Sequence, residues 1–148
     1  VVALNAIYRR SAAATAAVVA RAARLDGVSL PDPSQTLARW FDDLGAVEAL
    51  ACQEWLMGVD PMGYRAAYKV FAREDGPAAA DLEGLAMPAL FMTGEKEPNS
   101  TGDMSREMAR LAPQGEVQIL AGAAHMMPMT HAGEVNGILA QFFRRCAA

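Results

Sequence analysis

Two short segments carry the residue types that acid–base chemistry needs, and each follows an apolar run. Ala89-Leu90-Phe91-Met92-Thr93 leads into Gly94-Glu95-Lys96-Glu97, and Val117-Gln118-Ile119-Leu120 leads, after Ala121, into Gly122-Ala123-Ala124-His125. The apolar runs read as buried strands. Each glycine-bearing loop then delivers one proton-handling side chain at the C-terminal end of its strand. In open parallel sheets that edge is where ligands bind. An acid after one strand and a histidine after the next have the chain order of the last two members of a Ser…Asp/Glu…His triad. The chemistry this implies is attack by a nucleophile on an acyl carbon. The imidazole takes the nucleophile's proton and returns it to the leaving group, and the acid holds the imidazole's tautomer.

His125 is the histidine expected to do this, because imidazole titrates near neutrality and the small residues before it let the ring project. The plain alternative is a loop histidine with no chemistry. His131 stands where the closing helix begins and reads as bordering that helix, with no catalytic role. Glu97, the third residue after Gly94, is the acid expected to pair with His125. Its rivals are Glu95, nearer the strand end, and Asp103, which suits a helix N-terminus; a solvated loop charge is the plain alternative. Two histidines and two isolated cysteines, Cys52 and Cys146, have no ligand spacing, so no metal is expected.

The nucleophile is the missing member. The serines are Ser11, Ser29, Ser34, Ser100 and Ser105, and none lies in a G-x-S-x-G turn. Ser11 and Ser34 stand at helix starts, Ser100 beside Pro98-Asn99 reads as a helix cap, and Ser105 falls within a helix. Cys52 sits in a helical stretch, where a thiol is usually a small hydrophobe.

The elements that must position these residues follow from periodicity. Val1–Asn5 reads as a short buried strand, with Ile7-Tyr8-Arg9-Arg10 as the loop leaving it. Ser11–Arg24 is an alanine-rich helix ended by Asp26-Gly27. After Pro31-Asp32-Pro33-Ser34, the residues Leu37, Trp40, Phe41 and Leu44 fall on one helical face. A further helix is expected from about Ala46 to Met57. Asp60-Pro61 then starts another, by an N-cap acid with proline at the first helical position, and it carries Tyr64, Ala67, Tyr68 and Phe71 on one face. Several consecutive helices without a strand, over about 11–75, exceed what one crossover between strands needs, and predict a helical cap.

Beyond it come the strand Ala89–Thr93, a helix from about Gly102 to Leu111, the strand Glu116–Leu120 and a helix from about Ala132 to Arg145. That order predicts parallel strands with crossover helices. Trp40, Tyr64 and Met126 are the candidate pocket residues, drawn from the aromatics of the helical block and the Met126-Met127-Pro128-Met129 run beside His125.

Pro88-Ala-Leu-Phe-Met-Thr-Gly94, Glu97-Pro98-Asn99-Ser100 and Ala121-Gly-Ala-Ala-His125, followed by an amphipathic helix, resemble the C-terminal end of an α/β-hydrolase. Val1–Asn5 is similar to the strand that follows the nucleophile helix in that family. Gly63-Tyr64-Arg65-Ala66-Ala67-Tyr68, ending near Asp75, resembles the cap of its enol-lactonase and C–C-bond hydrolase branch. The resemblance spans nearly the whole chain but only the second half of the family fold. It implies an α/β fold with a helical cap at about 11–75 and core elements at 1–10 and 76–148. By the same resemblance, a serine-type, cofactor-independent hydrolase would act on small esters or lactones. Glu97 stands where the family usually has Asp, and its side chain is longer by one methylene.

The resemblance also implies that the nucleophile and oxyanion amides lie in a preceding half of the same fold. A first residue of Val, inside an apparent core strand, agrees with reading the chain as partial. A noncatalytic ligand-binding or interaction module of the same fold, and a haloalkane-dehalogenase-like enzyme with an Asp nucleophile, are the alternatives.

Bulk properties narrow the partners. The 148 residues are 53% hydrophobic and 20% charged, which suits a packed globular domain rather than disorder. A net charge of −4 with no basic block points away from nucleic acid and anionic membranes, and the resemblance implies a small-molecule substrate as the partner. Charged residues or glycine interrupt every apolar run, no secretory leader is visible, and the unpaired cysteines suit a reducing compartment, so a cytoplasmic protein is expected.

Overall fold

The computed structural model describes residues 1–147. In chain order the elements are β1 (Val2–Leu4), α1 (Ala12–Ala23), α2 (Ser34–Trp40), α3 (Val47–Gly58), α4 (Pro61–Arg73), α5 (Ala79–Glu83), β2 (Ala89–Gly94), α6 (Gly102–Leu111), β3 (Gly115–Leu120), α7 (Met127–Thr130) and α8 (Ala132–Cys146). They fall into two compact units. One joins Val1–Tyr8 to the chain from Pro77 onward, and the other is Arg9–Gly76.

The first unit is a mixed α/β layer built on a three-stranded sheet of order β1-β2-β3, parallel throughout. Leu90 is level with Val2 on one side and with Glu116 on the other. Successive side chains of a strand point to opposite faces, and β2 uses both. Ala89 and Phe91 join Tyr8, Leu82, Met108, Ala109 and Ala112 in one core cluster. Leu90 and Met92 join Leu120, Ala123, Met127, Val135 and Phe142 in the other. A strand covered on both faces must be apolar along its whole length, and every residue of β2 is buried.

The flanking strands differ from expectation. Val1–Asn5 and Glu116–Leu120 read as buried strands, but β1 is half-buried to exposed, and in β3 only Leu120 is buried. The reason is position: among the described residues both are edges of the sheet. Tyr8 lies in the loop leaving β1, as expected, yet it is 2% exposed and part of the core. Met127, expected in a pocket wall, is fully buried, because α7 turns it onto Leu90 and Met92. Full burial of side chains such as Leu90, Met92 and Phe142 is worth about 1.5–3 kcal/mol each.

The second unit holds α1 to α4 and no strand. Ser11 caps α1 by accepting from the amide of Ala14 at 3.2 Å, and Asp60 caps α4 by accepting from that of Gly63 at 2.6 Å. Val18, Ala22 and Ala72 form its core, with Tyr68 packed against them. The apolar face expected from Leu37 to Leu44 is cut short. Here α2 ends at Trp40, Phe41 adopts extended backbone, and Leu44 is 48% exposed. Asp43 explains the stop: its carboxylate accepts the amide of Gly45 at 2.8 Å, a local turn that competes with helix. No helix among the described residues is long and apolar enough to cross a membrane.

Candidate active site

Two loops of the first unit converge beyond the C-terminal ends of β2 and β3. The convergence depends on glycine. A Cβ built on Gly94 would lie 2.3 Å from the carbonyl oxygen of Ala123, so only a residue without a side chain lets the loops approach this closely. Gly122 has φ +69°, a left-handed turn that points the chain back toward β2. Backbone hydrogen bonds then tie the loops: Glu95 N to Leu120 O and Lys96 N to Ala123 O, both at 2.9 Å.

The three acids in this region have three different roles. Glu97 is buried at 4% exposure, and its Oε2 is hydrogen-bonded to Nδ1 of His125. Its Oε1 accepts from the amides of Asn99 at 2.7 Å and Ser100 at 3.2 Å. The side chain thus curls back over its own loop, which accommodates the extra methylene of Glu. Glu95 is exposed, and its Oε2 accepts the amide of Gly122 at 2.8 Å, bracing the histidine loop. Asp103 lies out on α6, paired with Arg106 at 2.9 Å.

Burial by itself raises the Glu97 carboxyl. The hydrogen bonds from His125 and the Asn99 and Ser100 amides, with the His125 charge, outweigh it and hold the group below its ordinary value. Glu97 is therefore ionised at neutral pH. Against a carboxylate, Nδ1 of His125 is the donor, and this tautomer makes Nε2 the basic nitrogen.

A polar network not anticipated from the sequence supports the pair. Asn5, at the end of β1, donates from Nδ2 to the carbonyl of His125 at 2.6 Å. Its Oδ1 lies 2.9 Å from the hydroxyl of Thr93, which is also 2.7 Å from the carbonyl of Ser100. Asn5 has φ 49°, a conformation that asparagine tolerates better than most side chains. The available signal was polar residues closing two apolar strands, Asn5 after β1 and Thr93 in β2.

Of Ser100 and Thr101, the two residues expected to cap α6, Thr101 does so, accepting from Met104 N at 3.4 Å, and Ser100 is buried inside this network. His131 borders α8, with Nδ1 2.9 Å from the hydroxyl of Thr130. Of the pocket candidates, Tyr64 lines a cavity within Arg9–Gly76; Trp40 and Met126 are half-buried and line no part of it.

A buried carboxylate bonded to a histidine, on loops beyond adjacent parallel strands, is an arrangement that could handle a proton in the way the last two members of a triad do. The comparisons agree with that class of fold. The chain is 36% identical over 136 residues to (E)-2-((N-methylformamido)methylene)succinate hydrolase of Acinetobacter baylyi, covering 90% of this chain and 51% of that protein. It superposes with a TM-score of 0.80 on a thermophilic esterase of Thermogutta terrifontis, at 19% identity, covering 99% of this chain and 56% of that one. With the enol-lactonase of Burkholderia xenovorans the TM-score is 0.71 at 17% identity, covering 97% and 55%. No family model matches the chain. The chain has the fold of these α/β-hydrolases over the part it shares with them. It spans about half the length of the relatives it matches.

Proposed function

We propose that the chain supplies the acid and the histidine of a serine-type hydrolase that cleaves small esters or lactones without a cofactor. The observation that carries this reading is the buried Glu97 carboxylate, held by two loop amides and bonded to Nδ1 of His125. A serine from a preceding segment of the same fold attacks the substrate carbonyl. As its oxygen–carbon bond forms, Nε2 of His125 takes the hydroxyl proton. The imidazolium then gives that proton to the departing alkoxide, and water repeats the sequence to free the acid and restore the serine. Glu97 accepts no proton; it orients the ring and offsets the imidazolium charge. The named activity of the Acinetobacter relative favours a second substrate reading, a formamido-bearing succinate in place of an ester.

The test is to read the coding region upstream of Val1 and assay the intact product. Allowing one helix and two short connections, the serine is expected on the order of 20–25 residues before Val1. It should sit on a sharp strand-to-helix turn flanked by small residues. The intact protein should react with a covalent serine-directed probe and lose that reaction in His125→Ala. Residues 1–148 alone should not react. Labelling that maps to one of the five serines of this chain would overturn the reading. An aspartate at the turn would indicate dehalogenation instead, and a glycine or alanine there a noncatalytic binding module.

A further inference from the structure

The unit Arg9–Gly76 contains a cavity of about 400 Å³ that the chemistry above does not use. That volume lies within the range of about 300–1,000 Å³ typical of small-molecule sites. Its charged lining is one-sided. Arg21 comes from α1 and Arg24 from the cap that ends it, Arg39 from α2, and the phenols of Tyr64 and Tyr68 from α4; the one acid is Asp32. Among the described residues, none of the three arginines is in an ion pair. Arg21 donates to the hydroxyl of Tyr68 at 2.9 Å and Arg39 to that of Thr36 at 3.2 Å, both neutral acceptors.

Asp32 does not balance them. Its Oδ1 accepts the hydroxyl and the amide of Ser34 at 2.6 and 2.9 Å, and these bonds hold its carboxyl below the ordinary value. Three guanidiniums and one carboxylate leave the cavity with two net positive charges.

The arginines also repel. Burial first, and the charge of Arg21 second, push Arg39 below the usual arginine value. Like charges gathered in a half-buried space raise the free energy of the empty site, and an anion placed between them relieves it. The guanidinium fork fits a planar carboxylate by two parallel hydrogen bonds. Beside it, Ala17, Ala20 and Leu25 offer apolar wall for a carbon chain, which inorganic phosphate lacks.

We propose that this cavity binds a small dicarboxylate. The proposal stands on the helical unit alone and does not depend on the hydrolytic reading, so either can fail without the other.

Titration calorimetry of the intact protein with succinate tests it, with succinamide and inorganic phosphate as the other two arms. Succinate should bind, and its uncharged diamide should bind at least about 100-fold more weakly, since a charge-assisted hydrogen bond is worth roughly tenfold or more per carboxylate. Arg21→Gln and Arg39→Gln should each weaken succinate by about tenfold or more, with the melting temperature little changed. If either variant fails to fold, Arg24→Gln, at an exposed position, carries the same expectation. Equal affinity for succinate and succinamide, or undiminished affinity in a folded Arg39→Gln, overturns the proposal. Phosphate binding more tightly than succinate also overturns it, and identifies a phosphate site.

Discussion

Glu97→Gln isolates the buried carboxylate with almost no change in shape. In the folded protein the Glu97 side chain is fully shielded from solvent and accepts three hydrogen bonds, two from amides and one from His125. The glutamine carbonyl can keep the amide bonds at neutral strength, but its NH₂ group then faces Nδ1. A charge-assisted hydrogen bond contributes roughly 1.5–3 kcal/mol, so at neutral pH the variant should be less stable by about 2 kcal/mol.

The pH dependence follows from the sign of the shift. The folded carboxyl lies below its ordinary value of 4.5. Above that value the group is ionised in both states and the stabilisation is fully present. As pH falls through it toward the lower folded value, the unfolded chain binds the proton first, and stability declines by up to about 1.4 kcal/mol per pH unit. Urea unfolding of both proteins, followed by circular dichroism between pH 7 and pH 3, reads this directly. The gap between wild type and variant should be constant above about pH 5 and close toward pH 3. A gap that does not change with pH would refute the reasoning, because it would mean that the Glu97 charge takes no part in holding the loops. If the intact protein is the proposed hydrolase, the same substitution should lower its kcat by up to about 10⁴-fold with little change in KM, since a donor opposite Nδ1 selects the wrong tautomer.

The supporting residues give two further expectations. Asn5→Ala removes the donor to the His125 carbonyl and puts alanine at positive φ, so a loss of about 2 kcal/mol in urea unfolding is expected. Asn5→Gly should recover the backbone part of that loss only, and a full recovery would show that the side-chain bonds contribute nothing. Gly94→Ala places a methyl group 2.3 Å from the carbonyl of Ala123. The loops must part to admit it, so thermal melts should show a loss above about 3 kcal/mol, and an unchanged melting temperature would contradict the close approach.

The acid–histidine pairing shows how much a single chain of letters can carry. Ala89–Met92 is apolar without interruption, and Gly94 and Gly122 mark where each strand turns, so both loops and the pair Glu97 and His125 they carry were legible. Glu97 was preferred to its rivals Glu95 and Asp103 as the third residue after Gly94, but what each acid is bonded to was not legible, since all three stand within one short stretch. The structure decides it by hydrogen bonds across the fold: Glu95 to the amide of Gly122, Glu97 to His125, Asp103 to its own helix. In the same way Val117–Leu120 has the composition of a buried strand, yet it lies at an edge of the sheet, and exposure follows strand order rather than composition.

By itself the sequence determined the alternation of strands and helices, the parallel α/β class and the two loops that carry Glu97 and His125. These depend on periodicity, caps and turns, whose energies act between near neighbours in the chain. The tertiary structure alone decided that Asn5 holds a carbonyl 120 residues away, and that Arg21, Arg39 and Tyr64 share one cavity. Such contacts form only when folding brings distant segments within a few ångströms, and their energies fall off too steeply with distance to leave a local trace.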